Sequence, residues 1–267
     1  MLSPAQISKQ MKLAAKLGRQ VPAILGIDVA GPDSDRVVVA VGDRAVAMVG
    51  SREASERELL VARLGIDLRR LHDIQALERK IDAKREMLPA YMPWVEGLLQ
   101  AEAETGAGVQ DEILVQMMIW LLDVGDFDQA LPVIGYVLKH KLALPERFKR
   151  TAATLIAEES ADAALKALGQ GGTFDLGFLL KIDALTGDLD MIDQVRAKLN
   201  KAIGLLYAAS AAAGAPDADG GAGAQRAAID TGFRYLKRAL ELDAKVGVKT
   251  AVRDLERLQA KLGATKE

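Results

Sequence analysis

The sequence predicts an all-α protein: a long, coiled-coil-like helical segment towards the N-terminus, followed by stacked helical hairpins. Three observations carry this. Hydrophobic residues make up 50% of the 267 positions but aromatics only 4%. Ala and Leu therefore supply the apolar content, which suits helix packing better than a β-sandwich built from Val, Ile, Tyr and Phe. Apolar residues recur every three or four positions, as in Leu60, Leu64, Leu68, Leu71, Ile74, Leu77 and Ile81. Proline and glycine punctuate the chain between such stretches, at Pro89, Pro93, Gly106 and Gly125. The length supports one or two domains with real cores.

Residues 3–19 read as a short helix. Ser3 can cap it, Pro4 suits the first helical position and Gln6 completes a capping box. Lys9, Lys12, Lys16 and Arg19 fall on one stripe of the wheel, with Ile7, Met11, Leu13, Ala14 and Leu17 on the other side. The segment holds no acidic residue. A phosphate-contacting helix fits this pattern, and so does a solvated helix face. A membrane-surface helix fits less well, because the apolar side is short and lacks Trp or Phe.

Residues 23–52 change character. Glycines and Pro32 interrupt them, and residues 37–40 and 45–49 flank a Gly42-Asp43 turn. They form either a small β-hairpin over residues 36–49 or a connector with an apolar tract. Residues 53–88 carry the Leu60–Ile81 stripe on one long helix with mixed-charge flanks, including Glu53 and Arg57 one turn apart. This helix packs on its own domain or serves oligomerisation, since the heptad is imperfect.

Residues 89–267 read as helical hairpins. Leu88-Pro89 ends the long helix, Pro93 opens the next at Trp94, and Gly106 and Gly108 close it. Asp111 and Glu112 lie in the following first turn, where the dipole favours acids. Ile113, Met117, Trp120, Leu121 and Val124 form the buried face of that helix. Gly125-Asp126 turns the chain into a helix starting at Phe127, and Leu144-Pro145 starts the next element. Residues 194–212, 225–243 and 249–262 supply three more helices. Tyr235-Leu-Lys-Arg-Ala-Leu-Glu-Leu-Asp resembles the second helix of a tetratricopeptide-like repeat, although the full consensus is missing.

Chemistry is sparse. Gly220-Gly221-Ala222-Gly223-Ala224 has no Lys-Ser/Thr at phosphate-loop spacing, so an ATPase is not expected. The chain has no cysteine, and His72 and His140 lie in different segments, so no zinc set forms. Asp111/Glu112 and Glu158/Glu159 are adjacent pairs, which point about 100° apart on a helix. Asp188, Asp190 and Asp193 sit where a helix N-terminus explains them. No metal, cofactor or catalytic residue is therefore expected. No apolar run is long enough to span a membrane, and the absence of cysteine fits a reducing cytoplasm. With a net charge of −2, any contact with nucleic acid must be local.

Two runs carry a family resemblance. One is Lys84-Arg-Glu-Met-Leu-Pro-Ala-Tyr-Met-Pro-Trp-Val-Glu-Gly-Leu-Leu. The other is Gln110-Asp-Glu-Ile-Leu-Val-Gln-Met-Met-Ile-Trp-Leu-Leu-Asp-Val-Gly-Asp-Phe-Asp-Gln-Ala-Leu. With the opening Ser3-Pro4-Ala5-Gln6 and the late Val195-Arg-Ala-Lys-Leu-Asn-Lys-Ala-Ile-Gly-Leu, they resemble the terminase small subunit of Peduovirus-type temperate phages, which have contractile tails and cohesive-end genomes. The likeness covers most of residues 1–22 and 60–258 and is weak over 23–52. Family members carry a Lys/Arg-rich C-terminal tail, so DNA contact through such a tail does not transfer to Ala264-Thr-Lys-Glu.

The resemblance implies a protein of the bacterial host cytoplasm that recognises the packaging site on double-stranded phage DNA. It further implies a homo-oligomer, such as a ring, that delivers DNA to a large subunit holding the ATPase motor and nuclease. The family is often labelled an endonuclease subunit, a label that no residue set in the sequence supports independently. Lys9, Lys12, Lys16 and Arg19 are the expected DNA contacts. A helical-repeat adaptor that binds only protein, or a nuclease in its own right, are the alternatives.

Overall fold

The computed structural model describes residues 27–28, 38–41, 44–46, 52–213 and 221–264, with side chains over 56–213 and 223–262. It divides into two units, Met1–Ile66 and Asp67–Glu267. In the first unit, strands β1 (Ile27–Asp28), β2 (Val38–Val41) and β3 (Arg44–Val46) pair antiparallel in that order. Val41 pairs with Arg44, so two residues, Gly42 and Asp43, separate β2 from β3, the commonest hairpin spacing. β2 has the length of the expected 37–40 and lies one residue later, and β3 overlaps the start of the expected 45–49. β1 is too short to show an alternating pattern in sequence.

Every described element from residue 52 onward is helical. The α-helices are α1 (Arg52–Asp73), α2 (Leu77–Met87), α3 (Met92–Thr105), α4 (Glu112–Val124), α5 (Phe127–Lys139), α6 (Ala152–Gly169), α7 (Leu176–Thr186), α8 (Asp193–Ala213), α9 (Gly221–Leu242) and α10 (Lys249–Ala264). A single 3₁₀ turn, Leu88–Ala90, joins α2 to α3.

The single helix expected over residues 53–88 is two helices, broken between Asp73 and Leu77. The break lets the chain double back. Tyr91 Oη donates to Asp67 Oδ2 at 2.6 Å, and Arg70 meets Glu86 at 3.6 Å. The apolar stripe does not continue through the break, because Leu71 is buried while Leu77 is 66% exposed.

Helix α4 is the centre of the second unit. All ten residues from Ile113 to Leu122 are buried, more than the expected face of Ile113, Met117, Trp120, Leu121 and Val124, of which Val124 is only half-buried. A helix that is apolar all round has nowhere to sit but inside. Helices α2, α3, α5 and α6 pack around it. The backbone groups at its ends are met by other protein groups. The buried Asp111 caps the N-terminus, its Oδ1 accepting from Leu114 N at 2.8 Å. Gly125, at φ 78°, closes the C-terminus: its N–H reaches Leu122 O, and Asp126 N reaches Leu121 O at 3.0 Å. Both bonds belong to one left-handed capping motif that glycine adopts without strain. Arg85 Nη2 donates to Val124 O at 3.3 Å, and Lys84 Nζ meets Asp123 at 2.6 Å, so α2 clamps the same end.

One polar side chain lies within the buried run. Gln116 is 3% exposed, and its amide oxygen accepts from Arg147 Nη2. Arg147 lies in the connector between α5 and α6. That connector is longer than expected: Leu144-Pro145 does not start a helix, and α6 begins only at Ala152, capped by Thr151. The reason is geometric, since the chain must first deliver Arg147 to Gln116.

Helices α8 and α9 form the tightest hairpin. A Cβ on Gly204 would lie 2.6 Å from Leu236 Cδ2 and 3.2 Å from the Leu236 backbone N. Tyr207 stacks on Tyr235 with ring centroids 6.2 Å apart. Beyond the hairpin, α10 completes a satellite core of Ala211, Ile229, Leu236, Val248 and Leu255.

Two outcomes follow from this packing. Gly204→Ala is expected to destabilise by about 1–3 kcal/mol, because the hairpin must spread or Leu236 must leave its rotamer; a rise in melting temperature would contradict the close approach. Arg147→Ala is expected to lose about 1–3 kcal/mol by leaving a buried amide oxygen unpaired, and adding Gln116→Leu should recover much of it. Urea unfolding of the two single variants and the double variant measures the coupling, and strictly additive losses would show that no such pair exists.

Candidate functional site

The two sequence runs that carry the family resemblance converge in space. Tyr91 from the first meets Trp120 from the second edge-on, with centroids 5.9 Å apart. Both rings are buried. Around this joint the chain leaves an open cleft of about 860 Å³. Leu88, Pro89, Met92 and Pro93 line one side; Leu121, Val124, Gly125 and Phe127 line the other. The proline-rich turn and the Gly125 cap put these residues there, since each reverses the chain at the cleft's edge.

Carboxylates ring the cleft. Glu96, Asp126, Asp128 and Asp175 line it together with one cation, Arg85. Two of these acids also cap helices: Asp126 accepts from Gln129 N at 3.2 Å, and Asp175 accepts from Gly177 N at 2.8 Å. Arg85 is held by Asp82 at 3.0 Å and by Val124 O. The lining contains no Ser, Cys, His or Lys, and its acidic groups are these four carboxylates. Apolar residues beside acidic groups have the chemistry to take a basic protein segment.

A second hollow, of about 340 Å³, lies between α7, α8 and α9. Asp183, Asp190 and Asp193 line it with Arg196 and Arg238. Arg196 is committed to structure, donating to Thr186 O at 2.7 Å and Leu189 O at 3.0 Å. Asp183 accepts from Tyr235 Oη at 3.0 Å. Burial, with the neighbouring Asp183 carboxylate, pushes the Tyr235 phenol up to about 12. Among the described residues no three of His, Cys, Asp and Glu gather where they could hold a metal ion.

The other titratable pairs also resolve into structure. Glu158 meets Arg150 and, at 3.4 Å, Lys198, which also reaches Asp162 at 3.0 Å. Burial, aided by the charges of Asp123 and Asp162, raises the Glu159 carboxyl above the usual carboxylate range. Glu112 is exposed, while its neighbour Asp111 is the buried cap. His140 packs on Tyr136 with centroids 4.8 Å apart and lies 3.3 Å from Glu102, whereas His72 is exposed. Hydrogen bonds from Lys139 and then His140 hold the Glu102 carboxyl below its usual range.

Lys9, Lys12, Lys16 and Arg19, the expected DNA contacts, lie outside the described residues. A different basic stretch lies within them. Residues 139–150 hold Lys139, Lys141, Arg147, Lys149 and Arg150 against the single acid Glu146. A running charge count marks this stretch. Helical periodicity does not, because most of it lies between helices. Among the described residues no helix is long and apolar enough to cross a membrane.

Comparison with known proteins places the chain. The family model for the phage small terminase subunit matches residues 61–194, which hold both converging runs. The chain is 39% identical over 206 residues to the "Terminase, endonuclease subunit" of Escherichia phage P2, covering 77% of this chain and 75% of that protein. It is 25% identical over 179 residues to the "Probable terminase, endonuclease subunit" of Haemophilus phage HP1 (strain HP1c1), covering 65% of this chain and 59% of that one. No solved structure matches it. The chain belongs to the phage small terminase subunit family, whose place is in phage DNA packaging.

Proposed function

We propose that this protein recognises double-stranded phage DNA at the cohesive-end packaging site and brings it to the terminase large subunit, which supplies the ATPase motor and the cleavage. It acts as a homo-oligomer in the cytoplasm of the bacterial host. The observation that carries the reading is the stripe Lys9, Lys12, Lys16 and Arg19, in a segment with no acid, within a small-terminase chain whose net charge is −2. A chain with that charge meets DNA through local basic surfaces rather than through its whole body.

The two relatives are called endonuclease subunits. For this chain we read the label as membership in a cleaving complex. Several described acids cap helices or pair with cations, and among the described residues no three of His, Cys, Asp and Glu gather where they could hold the metal ions that two-metal cleavage needs. The acidic-rimmed cleft favours a second role beside DNA recognition, a docking site for the large subunit. A chain that used only this role would be a protein-binding helical adaptor.

The readings separate experimentally. Lys12→Glu with Lys16→Glu is expected to weaken binding of cohesive-site duplex and to flatten its salt dependence by about one unit per lysine. Mobility shift over a salt series checks this, and undiminished binding would remove the N-terminal segment from the interface. Wild-type protein that captures the large subunit yet shifts no DNA at low salt would establish the adaptor instead. Nicking by the purified chain alone in Mg²⁺ or Mn²⁺ would show an intrinsic nuclease.

A further inference from the structure

We propose that the connector between α5 and α6 is a second DNA-contacting surface, which takes the phosphate backbone of duplex DNA through Lys141 and Lys149. The proposal rests on the DNA-recognition reading above and gives it a location in the folded helical unit.

Of the five cations in residues 139–150, three have partners within the fold. Lys139 pairs with Glu102, Arg147 with Gln116 and Arg150 with Glu158. Lys141 and Lys149 are exposed, and neither side chain has a hydrogen bond or ion pair among the described residues. The one carboxylate in the stretch, Glu146, is exposed. On α6 nearby, Glu158 is already met by Arg150 and Lys198. The two lysines are thus the uncommitted cations of the connector among the described residues.

The connector is held in place. Gln110 grips Ala143 from both sides: its Nε2 donates to Ala143 O at 3.0 Å, and its Oε1 accepts from Ala143 N at 2.8 Å. Leu142 is buried, and its N–H reaches Val137 O at 3.0 Å. Phe148 N donates to Pro145 O at 2.9 Å, with the Arg147 guanidinium 4.8 Å over the Phe148 ring. Cations on a fixed loop bind with little ordering cost. Just after Lys149 and Arg150, Thr151 caps α6, whose first turn carries no acid. The positive end of that helix adds to the field.

The Lys141 backbone is fixed by the cap of α5. At φ 53° Lys141 is the one non-glycine residue with positive φ among the described residues. It stands at the helix-terminating position that glycine usually fills. That backbone closes α5: Lys141 N reaches Leu138 O at 3.3 Å and Leu142 N reaches Val137 O at 3.0 Å.

The partner is nucleic acid rather than an acidic protein because the connector offers point charges that lie outside both hollows described above. Neither hollow described above is lined by residues 140–151. Protein partners are held mainly by anchors buried in pockets, whereas phosphates need only cations placed in register.

The test uses the full chain with cohesive-site duplex and an unrelated duplex of equal length, in a salt series. The variants are Lys141→Gly, Lys149→Gln and the two combined. Lys141→Gly is expected to keep wild-type thermal stability, since glycine takes the left-handed backbone freely. The slope of log affinity against log salt should flatten by about one unit per lysine removed, equally on both duplexes. If wild-type protein binds neither duplex at low salt, the recognition reading itself fails. If wild type binds and the folded double variant keeps its full slope, the connector proposal is overturned while that reading stands. Unchanged DNA binding with lost capture of the large subunit would also overturn it and assign the lysines to a protein partner.

Discussion

Burial of α4 on every side constrains the rest of the structure. Ten consecutive buried residues supply a large share of the core, each fully buried Leu, Ile, Met or Val contributing roughly 1.5–3 kcal/mol. The helix is also tied to its surroundings at both ends and at its middle. Asp111 ties the N-terminus, Gly125 and Arg85 the C-terminus, and Arg147 the Gln116 side chain in the middle. Each tie fixes the position of a different surface segment.

The two candidate surfaces are products of those ties. The cleft exists because the chain must stop α4 at Gly125 and restart at Asp126 opposite the Leu88–Pro93 turn. The basic connector is held because Arg147 must reach Gln116 before α6 can begin. Core and interface are therefore not separate layers in this protein. A change at Gln116 acts on the connector, and a change at Gly125 acts on the cleft.

Much of the helical plan was legible because its signals are local. Pro93, Gly106, Gly125 and Asp126 each act within one turn, and the helices around them end and start where those residues predict. The break after Asp73 was not legible, since the three-four spacing of Leu71, Ile74 and Leu77 runs through it unchanged. Full burial of α4 was hidden by Gln116, which reads as polar until its partner 31 residues away is seen. The cleft depends on two runs about 30 residues apart, whose meeting at Tyr91 and Trp120 no spacing rule foretells. The connector cations were visible as a charge count but invisible to any helical wheel. The family resemblance located both runs without indicating what they build.

The dependence on α4 is open to direct measurement by native-state hydrogen exchange. The account predicts that the amides of residues 115–122 exchange only through global unfolding, with the free energy given by urea denaturation. Arg147→Ala should lower the protection of these amides and the global stability by the same amount. Exchange of α4 by local opening, as fast as that of the exposed turns of α1 and α3, would contradict the account.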